Sequence, residues 1–260
     1  MIRPAAPDDY EAYTRLFAEF GIPDPVPTRE RFVETMLPQI RVAVRDGAVV
    51  GFCSWRPYGP LVHVVQLAVD PARRGQRIGE QLLLDVRELA LAAGCTRWYL
   101  NVKRDNVSAI RLYERVGFCR ELESFAFKIA WSCVPPHPVG GGLVEPAEDA
   151  VVAERFAVPL ERLAMFRTKG TRGRFHLVAL RDGAELAGIA AFDPDFPGAA
   201  VFRTVRPALA VDLLEAMRPY ALPAFDFVRA TVEGDRPLAD ALIALGAELT
   251  FELLRLSGPL

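Results

Sequence analysis

One short phrase of sequence occurs twice, and it constrains the fold more than any other feature. Residues 42–48 read VAVRDGA and residues 178–184 read VALRDGA. Each is an apolar run that ends in Asp-Gly, a dipeptide suited to the positive φ angles of a tight hairpin turn. Gly51 comes after the first and Gly188 after the second. Two similar hairpins can arise by chance, but here the order of the later elements is also repeated. A strand at 200–205 answers one at 61–69, and a helix over 208–218 answers one that begins at 78. A strand at 227–231 then answers one at 97–102. A helix over 237–245, closed by Gly246, answers one over 108–116, closed by Gly117. Matching order in the two halves predicts a duplicated unit.

The chain has 260 residues, which suits one large or two ordinary domains. Residues 132–142 mix a stiff proline segment with a glycine run and show no periodicity, so they read as a linker between domains at 1–131 and 143–260. In the first domain, residues 2–4 read as an opening strand. Asp8 reads as the cap of a helix over 9–20 that carries Tyr13, Leu16, Phe17 and Phe20 on one face. A proline-rich loop comes next at 21–27, and Thr28 can cap a second helix to about 36. Hairpin strands are predicted at 41–44 and 49–55, and two short strands over 118–130.

Charge and cysteine usage exclude several classes. A net charge of −2 does not suit a nucleic-acid binder. Cys53, Cys95, Cys119 and Cys133 are scattered without zinc-type spacing, so no metal site is expected. Buried free thiols in a reducing cytosol fit this pattern, which makes the expected location cytoplasmic. The first residues hold no apolar signal segment, and no apolar run is long enough to span a bilayer, so no membrane partner is expected.

The stretch that carries chemistry begins at residue 66. Leu67, Ala68 and Val69 form an apolar strand end, which Pro71 stops because proline has no N–H to donate. Residues 73–79 read as a turn with Gly75 and Gly79. From Ile78, apolar residues at 78, 82, 86, 89 and 93 trace a helical stripe. The first amides of such a helix lack intrahelical acceptors and sit at the positive end of its dipole. Glycine permits close approach of a ligand, so the turn can cradle a phosphate. Arg73, Arg74 and Arg77 add positive charge. An ordinary strand-to-helix connection with solvated arginines would show the same spacing.

A second stretch runs over 99–118. Asn106, Ala109, Tyr113 and Gly117 fall on one helical face, which offers an amide, a small residue and a phenol. Ile110 and Val116 read as the opposite, core-facing side. Tyr113 also suits the ordinary role of a tyrosine at a core edge.

Together the two stretches resemble the GNAT superfamily of N-acetyltransferases. The cofactor signature of that family, Arg/Gln-x-x-Gly-x-Gly/Ala, is matched by RGQRIG at 74–79, with Arg77 in place of the middle glycine. Its second signature is matched at Asn106, Ala109, Tyr113, Gly117 and Phe118. The resemblance covers 1–130 well and the second half in outline. It implies an α/β (α+β) chain of two GNAT-like domains, each a mixed, mostly antiparallel sheet flanked by helices. In the first, the fourth and fifth strands would be splayed.

The resemblance also implies acetyl-CoA as the donor. Arg74, Gly75, Gln76, Arg77, Ile78, Gly79 and Glu80 would hold its pyrophosphate. Leu67, Ala68 and Val69 would pair with the pantetheine arm, with Asn101, Asn106 and Ala109 beside it. An amine would attack the thioester directly, the Val69 N–H would stabilise the oxyanion, and Tyr113 would protonate the departing thiolate. Neither a metal nor a covalent enzyme intermediate is needed. No carboxylate stands just before Leu67, where many family members place a base; Val65 and Gln66 are there instead. His63, Glu121 and Glu123 are candidates that also suit plain structural roles, so a water chain to solvent is taken as the base.

On the same template, Leu242 stands where Tyr113 does, Leu238 where Ala109 does and Asp235 where Asn106 does. The segment RTVRPAL at 203–209 has no glycine, and Pro207 removes a backbone donor. The second domain is therefore expected to be a degenerate copy that does not bind acetyl-CoA productively. Phe17, Phe20, the loop at 21–28 and residues 56–59 would wall the acceptor, with Asp24 as a rare carboxylate, which favours a small or apolar-tailed amine. The expected partner is a small-molecule or peptide amine acceptor, and the chain is expected to be a monomer or homodimer. The alternative is a non-catalytic acyl-CoA-binding regulatory or scaffold protein. A dinucleotide oxidoreductase fits poorly, because the cradle does not come after the opening strand.

Overall fold

The structure, a computed structural model, describes residues 1–21, 26–168 and 175–260. It forms two compact units. The first comprises residues 1–121 together with 255–260, and the second comprises residues 122–254.

The first unit runs β1 (Ile2–Pro4), α1 (Tyr10–Phe17), α2 (Arg29–Arg31), β2 (Ile40–Arg45), β3 (Ala48–Tyr58), β4 (Leu61–Val69), α3 (Ile78–Ala92), β5 (Arg97–Lys103) and α4 (Val107–Arg115), and enters β6 (Cys119–Ala130). The second runs β7 (Gly140–Leu143), α5 (Asp149–Phe156), α6 (Leu160–Arg167), β8 (His176–Asp182), β9 (Glu185–Asp193), β10 (Gly198–Thr204), α7 (Ala210–Met217), β11 (Phe227–Glu233), α8 (Arg236–Ala244) and β12 (Glu248–Pro259). From β1 to β6 and from β7 to β12 the element order is the same. The fold is mixed α/β with mostly antiparallel strand pairs, as the sequence led us to expect.

Local chemistry explains the repeated pieces. The first hairpin turns at Asp46 and Gly47, both at positive φ (52° and 78°), and the second turns at Gly183 (φ 60°) and Ala184. Gly51 is opposite Val69, and Gly188 is opposite Thr204. A side chain at either glycine would press on the next strand, since an added Cβ would lie 2.9 Å from the Ala68 carbonyl or 3.2 Å from that of Arg203. Asn106 caps α4 by accepting from the Ala109 N–H at 3.1 Å, and Asp235 caps α8 by accepting from the Leu238 N–H at 2.9 Å. The two corners before α1 and α5 also match. Asp9 takes Arg3 at 2.6 and 2.8 Å and the Ala6 N–H; Glu148 takes Arg181 through two bonds of 2.9 Å and the Glu145 N–H.

Each sheet is covered on both faces. In the first unit, Tyr13, Leu16 and Phe17 of α1 pack with Phe32, Ile40, Val42, Phe52 and Ala68. On the other side α3 buries Ile78, Leu82, Leu83, Val86 and Ala90. In the second, α5 and α6 bury Val152, Phe156, Leu163 and Phe166 against Leu177, Ala179 and Val201, while α7 and α8 cover the other face.

Several expectations need correction. In place of two short strands, residues 119–130 form one continuous strand, β6, of which residues 124–130 pair without a break along β11. The two compact units are delimited at 121/122, within β6, whose residues from 124 on pair with β11. Glycines expected to loosen a linker instead build β7: a Cβ on Gly140 would lie 2.7 Å from the Arg181 carbonyl of β8. Asp9 rather than Asp8 anchors the corner before α1. The second helix passes from α2 into a π-helical turn over Phe32–Met36, and Cys119 is exposed. Of the predicted loop at 21–27, residues 22–25, including Asp24, lie outside the described residues.

Candidate functional site

The site is built where β4 hands over to α3. Among the described residues, β4 and β5 pair in parallel only at 61–63 with 97–99. A bulge leaves Val65 without a cross-strand partner on β3, and beyond it the two strands separate. Asp70 donates its N–H to the Val50 carbonyl on β3. Backbone groups alternate sides along a strand, so Leu67 and Val69 aim theirs into the opening. Ala68 does not: its carbonyl faces Gly51 on β3 and its methyl is in the core beside α1. This removes Ala68 from the set that lines the opening.

The turn after β4 is braced. Asp70 accepts the Ala72 N–H at 3.0 Å and Arg15 at 2.7 Å. Those bonds hold its carboxyl below the usual range, the backbone bond contributing most. Arg73 reaches Asp46 at 3.0 Å. Arg74 Nε donates to the Val69 carbonyl at 3.2 Å, while its Nη2 meets Glu19 at 3.1 Å. Thus Arg74 caps one of the carbonyls that face the opening. Gly75 is at φ 79° and Arg77 at φ 58°, so Arg77 takes up the left-handed conformation that glycine adopts freely. That is the physical meaning of the glycine it replaces.

Gly75, Gln76 and Arg77 are exposed, and α3 starts immediately afterwards with the amides of Ile78, Gly79 and Glu80 at its open end. The Ile78 side chain is buried, so only its backbone is offered. A Cβ on Gly79 would lie 2.9 Å from Leu112, with Leu67 and Val69 at 3.6 and 3.7 Å. Glycine there lets α3, α4 and β4 converge.

That convergence brings in Tyr113, the residue after Leu112. It is buried with Ile110 on one side of α4, not opposite it, because residues three apart share a helical face. Its ring meets Phe118 edge-on at 5.8 Å. Burial first, and the neighbouring Cys53 second, push the phenol pKa up, so it keeps its proton. Cys53 is opposite Leu67 across β3 and β4, and its own thiol is pushed up by burial, then by Asp85.

The remaining residues divide. Asn101 is exposed on the separated part of β5. Asn106 has its side-chain oxygen engaged by the Ala109 N–H and by the Ser108 hydroxyl, so only its amide nitrogen is left to meet a ligand. Ala109 is half-buried on the next turn. His63 lies flat on Tyr99, with centroids 4.5 Å apart, on the stretch of β4 that is still paired. Phe17 is buried in the core and Phe20 packs edge-on against it, so these rings do not form an open acceptor wall. Sequence reading missed Arg15, Glu19 and Lys103. Lys103 donates to the Phe20 carbonyl at 3.2 Å. Their partners are far off in sequence, and no local pattern signals them.

The residues present fit a coenzyme with a diphosphate and a peptide-like arm: open helix amides, a glycine that no larger residue could replace without displacing Leu112, and a free strand edge. Among the described residues no group of His, Cys, Asp and Glu is arranged to hold a metal ion, and no helix is long and apolar enough to cross a membrane.

The chain is similar to several known proteins. Residues 9–118 match the model of the acetyltransferase (GNAT) family. The aminoalkylphosphonate N-acetyltransferase of Salmonella typhimurium is 38% identical over 101 residues, which cover 35% of this chain and 64% of that protein. A mycothiol acetyltransferase of Thermomonospora curvata is 32% identical over 97 residues, 37% of this chain and 31% of that protein. The chain thus spans under a third of one relative and just under two thirds of the other. A tandem GNAT protein from the clavulanic acid biosynthesis pathway shares the fold over 100% of this chain and 98% of its own, with a TM-score of 0.65 at 21% identity. Residues 9–118, in the first unit, thus carry a GNAT acetyltransferase domain.

Proposed function

We propose that the first unit is an acetyltransferase that uses acetyl-coenzyme A to acetylate the amine of a small molecule or peptide. The observation that supports this most is the free edge of β4, with Leu67 and Val69 facing an opening that leads to bare amides at the start of α3. Bound there, acetyl-coenzyme A would supply an activated thioester carbonyl. The amides of Ile78, Gly79 and Glu80 hold its diphosphate, and the edges of Leu67 and Val69 hold its arm. The Val69 N–H points into the opening, where it would stabilise charge developing on a bound thioester's oxygen. Tyr113 keeps a proton at its hydroxyl for the leaving sulfur. The attacking amine loses its proton to a water chain. The second unit is a copy without this machinery: it has Leu242 in place of Tyr113 and Pro207 in place of a turn amide.

Two measurements on the full chain test this. Calorimetry with coenzyme A should give one molecule bound per chain. Release of free coenzyme A from acetyl-coenzyme A should depend on an added amine, in a panel that includes aminoalkylphosphonates because the Salmonella relative is named for them. Absence of coenzyme binding would end the proposal. Binding without release for any amine would leave a sensor or scaffold.

A further inference from the structure

The strands of the second unit diverge in the same place as those of the first, but there charged side chains tie them together on the face that α6 covers. Parallel pairing of β10 and β11 covers only 198–199 with 229–230, and a bulge at Ala200 matches the one at Val65. Counting from these pairs, Glu233 stands on β11 where Lys103 stands on β5. Arg203 stands on β10 where Ala68 stands on β4.

Glu233 is buried, its side chain only 4% exposed. Arg162 of α6 meets it at 3.1 Å and Arg203 at 3.3 Å. Arg162 also donates to the carbonyl of the bulged Ala200 at 3.0 Å. One buried carboxylate therefore ties a helix to both diverging strands, and one of its arginines caps a strand carbonyl at the opening.

The first unit has a weaker version of the same arrangement. Arg74 caps the Val69 carbonyl and is held by Glu19, but these two side chains are 57% and 39% exposed. An exposed pair is weak and exchanges readily with a competing anion. A buried pair cannot be opened without stranding a charge away from water.

We propose that Glu233, Arg162 and Arg203 bridge the second opening from the face that α6 covers, stitching its strands together where a coenzyme arm would have to enter, and so limiting the chain to one coenzyme. This rests on reading the first opening as the coenzyme slot.

Amide hydrogen exchange on the full chain, read by mass spectrometry, tests the stitch. Glu233→Ala should speed exchange over 198–206 and 227–235 by about tenfold or more, because the strands lose their shared anchor. Glu233→Gln keeps the shape and is the safer variant for folding; about threefold is expected, since a neutral amide holds two arginines less firmly. Exchange over 61–69 and 97–103 should not change, and coenzyme A titrated into either variant should bind the first unit with wild-type affinity. Exchange within twofold of wild type in Glu233→Gln, and in Glu233→Ala if it folds, overturns the stitch. Failure of coenzyme A to bind the wild-type chain would overturn the slot reading instead, so the two failures are distinguishable.

Discussion

Between β4 and β5 the parallel pairing stops at His63 and Tyr99, and between β10 and β11 it stops at Ala199 and Ala230. Beyond those points one opening is lined by strand edges and a glycine-bearing turn, and at the other a buried carboxylate and two arginines link the strands. The scaffold is common to both: the hairpins, the bulges, the helix caps and the salt-bridged corners recur. On the proposed reading, this fold supplies the opening, while a handful of side chains decides whether a coenzyme can enter it. Function here is a property of the site and not of the architecture.

The largest effect should come from exchanging the residues that differ at the same position. Tyr113→Phe keeps the ring and its packing on Phe118, so the chain should fold normally. Turnover should fall by about 100-fold or more while coenzyme affinity holds. Its counterpart, Leu242→Ala, should cost about 2–5 kcal/mol of stability by leaving a cavity, with turnover of the folded protein unchanged. An unchanged rate in Tyr113→Phe would remove the phenol from the mechanism.

The matched corners give the next largest effect. Asp9→Asn and Glu148→Gln each remove a doubly bonded carboxylate and should cost about 2 kcal/mol in denaturant melts. Arg3 and Arg181 are the main reason both carboxyls titrate below their ordinary range. A depressed folded value means that the stabilisation is present above the unfolded value, near pH 4, and is lost as pH falls through the folded one. Wild-type stability should therefore decline below about pH 4, and each variant should show less of that decline. A corner that costs nothing would break the equivalence of the two units.

Smaller effects lie at the turn. Arg77→Gly should raise stability by about 1 kcal/mol, because a left-handed residue with a side chain is strained. A melt that moves downward would contradict that account. Glu19→Gln frees Arg74 from its exposed partner and should tighten coenzyme A binding by only about two- to threefold. No change in affinity would mean that Glu19 does not compete with the coenzyme for Arg74.

Much of this was legible in the sequence, because the repeated elements are set by local chemistry. Asp46-Gly47 can form little but a hairpin, and Gly94, Gly117 and Gly246 end helices at positive φ. Asn106 and the glycines of the turn were recognisable by spacing. The hidden features depend on distant partners. Nothing near Arg74 points to Glu19, and nothing near Glu233 points to Arg162. The side of α4 that Tyr113 occupies was misjudged, since polar and aromatic residues were grouped as one face although Ile110 lies just three positions away. The glycines at 140–142 looked like slack, but Gly140 is needed for close approach to β8.

Residues 255–260 have a further consequence. They complete the first unit: Arg255 lies over the Tyr99 ring, and Leu260 donates to the Thr96 carbonyl. Gly258 comes so near Gly117 that any Cβ would clash with its carbonyl oxygen. During translation, the amino-terminal half therefore has to wait, its last strand missing, until the ribosome has finished the whole carboxy-terminal half. Contacts between segments so far apart in the chain form slowly. A nascent chain stalled before residue 255 would hold an exposed strand edge, a target for chaperones and for aggregation alike.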